Sequence, residues 1–298
     1  MRPLAALALL LTLSLRAQQP AITTDPAPDK AAPAAMRSFQ LPSHGSLLNA
    51  FVYVAAGAGP HPVVILLHGF PGNERNLDLA QTLRRAGYDV LYFNYRGAWG
   101  SPGDFSFSHA MEDTHAAIDY LHDPANAAKL RADPKSIVIA GHSMGGMITT
   151  NVAAQLADDS SIRGLVIISA ANMAGRVLPA VKANQQEAAL PRIEQGLAAE
   201  GMAPLAGCTP ESLSRELLAN AAAWNIPDLA PKLAKRPLLV ITSDDGLAPA
   251  SDELVANLRR LGDTQVKAVH MATDHAYSDH RIALEQEVLQ GIAAIQLR

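Results

Sequence analysis

A serine set among small residues follows directly on an apolar, β-branched run at Ile137-Val138-Ile139-Ala140-Gly141-His142-Ser143-Met144-Gly145-Gly146. The spacing Gly141-x-Ser143-x-Gly145 suits a sharp strand-to-helix turn that lifts one hydroxyl clear of a sheet. In such a turn a Cβ at either glycine would collide with neighbouring backbone. A serine hydroxyl is a poor nucleophile, so Ser143 needs a base within hydrogen-bond reach and a third group to orient that base. Downstream, the run Leu238 to Ile241 leads to Asp244 and Asp245, and Val266 to Val269 leads to His270, His275 and His280. Two acids and three histidines compete for two roles, in the chain order nucleophile, acid, base. The chemistry open to such a set is acyl transfer.

Residues so far apart in the chain meet only if a regular scaffold brings them together. Strands are expected at 63–67, 89–93, 136–140, 165–168, 238–241 and 266–269, with helices near 75–86, 109–122, 146–157, 250–261 and 282–296. Continuous apolar strands separated by helical crossovers predict an α/β fold, a mostly parallel sheet with helices on both faces. Two earlier strand-like stretches, 37–41 and 47–54, flank Ser43-His44-Gly45-Ser46 and predict an antiparallel hairpin at the N-terminal edge. The rhythm breaks once. About sixty residues from Asn172 to Lys235 separate consecutive strands, too many for an ordinary connection. Helical stretches near 176–199 and 211–223 predict a helical cap insertion over the site, at about 172–235.

With these features in place, the chain resembles the α/β-hydrolase superfamily, in particular its exported esterase and its dienelactone-hydrolase or serine-aminopeptidase-like branches. The resemblance spans roughly residues 47 to 298. It rests on His68-Gly69-Phe70-Pro71-Gly72, Tyr95-Arg96-Gly97, Gly141 to Gly146, Asp245-Gly246-Leu247-Ala248-Pro249 and Asp274-His275. It implies an acid four residues before a proline, which is Asp245 ahead of Pro249 and not Asp244. It implies a base shortly before the last helix, where His275 after Thr273-Asp274 matches better than His280 or the strand residue His270. It places the oxyanion-holding N–H groups on Phe70 and on Met144, the residue after the nucleophile. His68 reads as a brace of the oxyanion loop.

Composition adds bounds. The chain has 298 residues, 49% hydrophobic, enough for a substantial core without staples. Cys208 is its single cysteine, which excludes an intramolecular disulfide. A net charge of −4 points to no nucleic-acid partner. Met1-Arg2 and the apolar run from Leu4 to Leu15 read as a signal peptide over 1–17, followed by a flexible Pro/Ala/Gln-rich linker over 18–35 and the α/β-hydrolase domain over 36–298. The product would be exported, periplasmic or secreted, with no stable membrane insertion after signal removal. His109, His115 and His122 share a helical segment but define no convergent ligand set, so no metal is expected. No Walker or dinucleotide pattern is present, so no cofactor is expected. Arg96 and Trp99 could touch substrate or brace their loop. The expected activity is cleavage of a small-molecule acyl ester by a serine hydrolase. The rival readings are a serine peptidase acting on a short peptide, and a non-catalytic binding protein of the same fold.

Overall fold

Alternating side chains on the strands feed two separate cores, one on each face of a single sheet. A computed structural model describes residues 20–297; the segment read as a signal peptide lies outside the described residues. The strands are β1 (Ala35–Ser43), β2 (Ser46–Val54), β3 (His61–Leu67), β4 (Asp89–Phe93), β5 (Ala132–His142), β6 (Ile162–Ile168), β7 (Leu238–Ser243) and β8 (Val266–Met271). They lie in the order β1-β2-β4-β3-β5-β6-β7-β8. β2 pairs antiparallel with both β1 and β4, whereas the other pairings are parallel. The predicted hairpin is present. Ser43 lies opposite Ser46, and the two turn residues His44 and Gly45 both have positive φ, 45° and 82°. That is the mirror-type turn whose twist suits two adjoining strands.

The helices are α1 (Leu77–Arg85), α2 (Phe107–His122), α3 (Pro124–Leu130), α4 (Met144–Gln155), α5 (Met173–Lys182), α6 (Gln186–Ala199), α7 (Pro210–Asn220), α8 (Ala248–Arg260) and α9 (Arg281–Gln296), with short turns at Pro20–Thr23, Ile226–Leu229 and Ala230–Leu233. Val64 and Leu66 of β3 pack with Leu79 and Leu83 of α1 and Leu284 and Val288 of α9. Val63, Ile65 and Leu67 face the other way, into the core shared by α2, α4 and α8. This alternation on one strand is why the central strands read as unbroken apolar runs. Two elements differ from expectation. The short helix α3 is capped by Asp123, whose carboxylate accepts from the N–H groups of Ala125 (2.8 Å) and Asn126 (3.0 Å). Residues 20–23, within the stretch read as a linker, form a helical turn in which Ala21 is buried against α1 and α9, and Arg85 Nε donates to the Ala21 carbonyl.

The chain leaves β3 toward β4 on one side and reaches β5 on the other, so the C-terminal ends of β3 and β5 border a crevice where strand order reverses. Open parallel sheets bind ligands at such switch points. Helices α5 to α7 lie between β6 and β7, within the predicted insertion. The insertion is fastened to the loop after β4 by backbone hydrogen bonds, Trp99 N to Pro204 O (2.9 Å), Phe105 N to Ala206 O (2.9 Å) and Ala206 N to Gly97 O (2.7 Å). Glu216 of α7 also accepts from Phe107 N (2.9 Å) and Ser108 N (2.8 Å), placing a carboxylate on the N-terminus of α2. Unpaired N–H groups and the helix dipole both favour an anion there. Glu216→Ala removes both bonds and is expected to cost about 1–2 kcal/mol. Thermal unfolding should show Tm lowered by several degrees at roughly 2–4 °C per kcal/mol.

Candidate active site

β5 ends at His142 and α4 begins at Met144, leaving Ser143 alone at the junction with φ 58° and ψ −123°. Non-glycine residues avoid that region unless their surroundings force it. Here Ser143 N donates to Ile168 O (2.9 Å), and Ser143 O accepts from Gly146 N and Ala171 N (2.9 Å each). A Cβ on Gly141 would strike the Gly145 carbonyl oxygen, so the turn closes this tightly only with glycine. Across the crevice, a Cβ on Gly69 would lie 2.8 Å from Ser143 Cβ and 3.2 Å from Ser143 Oγ. The loop after β3, which carries Phe70, therefore abuts the serine hydroxyl. Met144 opens α4, so its N–H has no acceptor within the helix.

The structure separates the two acids and the three histidines. Asp245 Oδ2 lies 2.6 Å from His275 Nδ1, with the Asp245 side chain only 4% exposed. Asp244, 63% exposed, instead meets His270 Nε2 at 3.0 Å on the outside of the sheet. His280 pairs with its neighbour Asp279 (2.8 Å) at the N-terminus of α9. Burial works against the charge on Asp245, but hydrogen bonds from His275, the Leu247 N–H, Ser169 and Ser243 outweigh it and hold the carboxyl below its ordinary range. Ser169 and Ser243 were not singled out by the sequence. Serines at strand ends carry no spacing signal, and only the sheet brings them to Asp245. With Nδ1 donating to Asp245, His275 has Nε2 left as an acceptor. Its side chain is 41% exposed, and Ser143 is half-buried.

A family model described as alpha/beta hydrolase fold matches residues 62–275, from β3 to the candidate base. The chain belongs to the alpha/beta hydrolase fold family. It is similar to the lysophosphatidylserine lipase ABHD12 of Danio rerio, 33% identical over 101 residues. That match spans 33% of this chain and only 25% of the relative. Among solved structures, it resembles Est1E from Butyrivibrio proteoclasticus with ferulic acid bound, at 22% identity, TM-score 0.61, over 87% of this chain and 98% of that one. It also resembles a thermostable carboxyl esterase from Bacillus coagulans, at 18% identity, TM-score 0.63, over 88% and 99% of the two chains. At these identities the two structures speak for the fold alone.

Other polar residues of this α/β hydrolase brace the site. Arg96 is buried, its Nε 2.6 Å from Asp113 Oδ1 and its backbone N 2.7 Å from Asp113 Oδ2. Trp99 Nε1 donates to Pro71 O (2.7 Å), and the Arg75 guanidinium stacks over the indole at 4.2 Å. The three helical histidines have separate hydrogen-bond partners, His109 at Asp104 O, His115 at Gln155 and His122 at Ser161. His68 Nδ1 donates to Gly69 O (2.9 Å), within the loop it was expected to brace. His142 Nε2 donates to His275 O (2.8 Å), tying the residue before the serine to the backbone of the candidate base.

Burial lowers the pKa of both His68 and His142 to about 4. Both rings are thus neutral in the native state at neutral pH, and charging them opposes folding. Because the folded pKa lies below the unfolded value near 6.5, this stability is complete above pH 6.5 and is lost as pH falls toward 4. The loss is expected to reach about 3 kcal/mol per histidine. Urea midpoints measured at pH 7 and pH 4.5 should fall steeply for the native chain and less steeply for His142→Asn.

Proposed function

We propose that the chain is a serine hydrolase that cleaves carboxylic esters through an acyl-enzyme on Ser143. The observation that carries this reading is the 2.6 Å contact of His275 Nδ1 with a buried Asp245, in a sheet that also presents Ser143 on a strained turn beside the Gly69-Phe70 loop. Asp245 fixes the tautomer in which His275 Nε2 is the free acceptor. His275 Nε2 takes the proton as Ser143 Oγ bonds to the acyl carbon. The carbonyl π electrons move to oxygen, and the N–H groups of Phe70 and Met144 hold that oxyanion. Collapse expels the alkoxide, which takes the proton from His275. Water, activated by the same histidine, then releases the acid and restores Ser143.

The ester preference is supported by the ABHD12 match, whose name denotes an ester-cleaving lipase. Under this reading the insertion between β6 and β7 forms the cap that shapes substrate choice. Export is proposed from the pattern of residues 1–17. Among the described residues, no helix is long and apolar enough to cross a membrane.

A fluorophosphonate probe should label the purified wild-type chain and leave Ser143→Ala unlabelled; a wild type that does not react sinks the proposal. Asp245→Asn is expected to lower ester turnover by about 10⁴-fold, as loss of the orienting acid does elsewhere. Asp244→Asn, on the exposed His270 contact, should stay within about twofold of wild type. Assays on a panel of short-chain acyl esters and aminoacyl amides should favour esters. Amide cleavage with no ester preference would make the chain a peptidase.

A further inference from the structure

The antiparallel edge of the sheet carries an open cavity of about 450 Å³, a volume within the range of small-ligand sites. Its floor is built by β1, β2 and β4. Ser38 lies opposite Phe51, Gln40 opposite Asn49, and Phe51 opposite Tyr92, so these side chains share one face of the sheet. The rings of Phe51 and Tyr92 stack there, 5.2 Å between centroids and 24° apart in plane. Asn94, just past β4, extends the floor, and Arg75, two residues before α1, forms a wall. Ser143, Asp245 and His275 have no part in the lining. The cavity is separate from the crevice.

Arg75 is the only charged residue among those lining the cavity. Its guanidinium lies 4.2 Å over the Trp99 ring and makes no ion pair or hydrogen bond among the described residues. The neighbouring acid, Glu74, is turned away to accept from Asn76 N (2.6 Å). Stacking fixes the plane of the guanidinium while leaving its N–H fork free, a geometry that matches both oxygens of a carboxylate. Two oxygens of the floor also lack a partner among the described residues, Tyr92 Oη and Asn94 Oδ1. Tyr92 is only 2% exposed, and Asn94 Nδ2 is already committed to Trp99 O (3.3 Å). Buried oxygens left unpaired are costly, and an amide oxygen needs a donor. We propose that this cavity binds a small aromatic carboxylate bearing a hydroxyl group. The carboxylate pairs with Arg75 and the ring lies on Phe51, while the hydroxyl donates to Asn94 Oδ1 and accepts from Tyr92 Oη. Binding here is independent of the reaction at Ser143.

Isothermal titration of the full chain with 4-hydroxybenzoate should show saturable binding with Kd of about 1 mM or tighter, the scale open to a ligand of about ten non-hydrogen atoms. The uncharged 4-hydroxybenzamide, of nearly the same shape, should bind at least about tenfold more weakly. Arg75→Met keeps an apolar stem over Trp99 and removes the fork. Gln40→Trp fills the cavity from an exposed position on β1. Each variant, with Tm confirming that it is folded, is expected to raise Kd for 4-hydroxybenzoate at least about tenfold. No saturation up to about 10 mM overturns the proposal, as does equal binding of acid and amide. A folded variant that binds like wild type places the acid elsewhere and also overturns it. If one variant fails to fold, the other and the comparison of acid with amide decide.

Discussion

Everything in the crevice is referenced to one strained residue. At φ 58° and ψ −123°, Ser143 holds a backbone conformation that costs on the order of 1–3 kcal/mol. It persists because three backbone hydrogen bonds fix it from outside the turn and within it. Its N–H is taken by Ile168 of β6, and its carbonyl serves both Gly146 and Ala171. The strain thus ties β5, α4 and the end of β6 into one rigid corner. The same corner sets how closely the Gly69 loop can approach, since a single added carbon there would touch Ser143.

A second constraint is that polar chemistry here is built largely out of water. Asp245 retains its charge because its donors outweigh the cost of burial. His68 and His142 take the opposite course and are neutral, each donating one proton to a carbonyl, Gly69 O and His275 O. Buried polar groups with fixed donors cost little reorganisation when charge moves nearby, and that property makes an enclosed site effective. The ring of His142 lies 4.6 Å from that of His275, and a neutral His142 spares His275 a like charge.

The loops that shape the crevice are held by ionic and backbone contacts rather than by sheet pairing. Asp113, fully buried on α2, grips Arg96 and also accepts from Ser43 Oγ (2.6 Å). Glu216 reaches from the insertion to the N-terminus of the same helix. Phe70 packs between Phe105 and Phe107, with ring centroids 5.9 Å from each. Helix α2 therefore joins the N-terminal hairpin, the loop after β4 and the insertion, and through Phe70 it bears on the loop beside Ser143.

Much of this was legible without coordinates. The α/β fold, the antiparallel hairpin and the insertion follow from hydrophobic periodicity and turn residues, which are local properties of the chain. Gly141-x-Ser143-x-Gly145 marked its own corner because only glycine tolerates such close backbone contact. Side-chain partners across the fold were another matter. Asp244 and Asp245 are adjacent in sequence, yet one is buried against His275 and the other meets solvent and His270; the direction in which the chain leaves β7 decided between them. Ser169, Ser243 and Tyr277 carry no pattern at all. They became one hydrogen-bonded cluster only when β6, β7 and the loop before α9 came together, because hydrogen bonding depends on distances that tertiary packing alone sets.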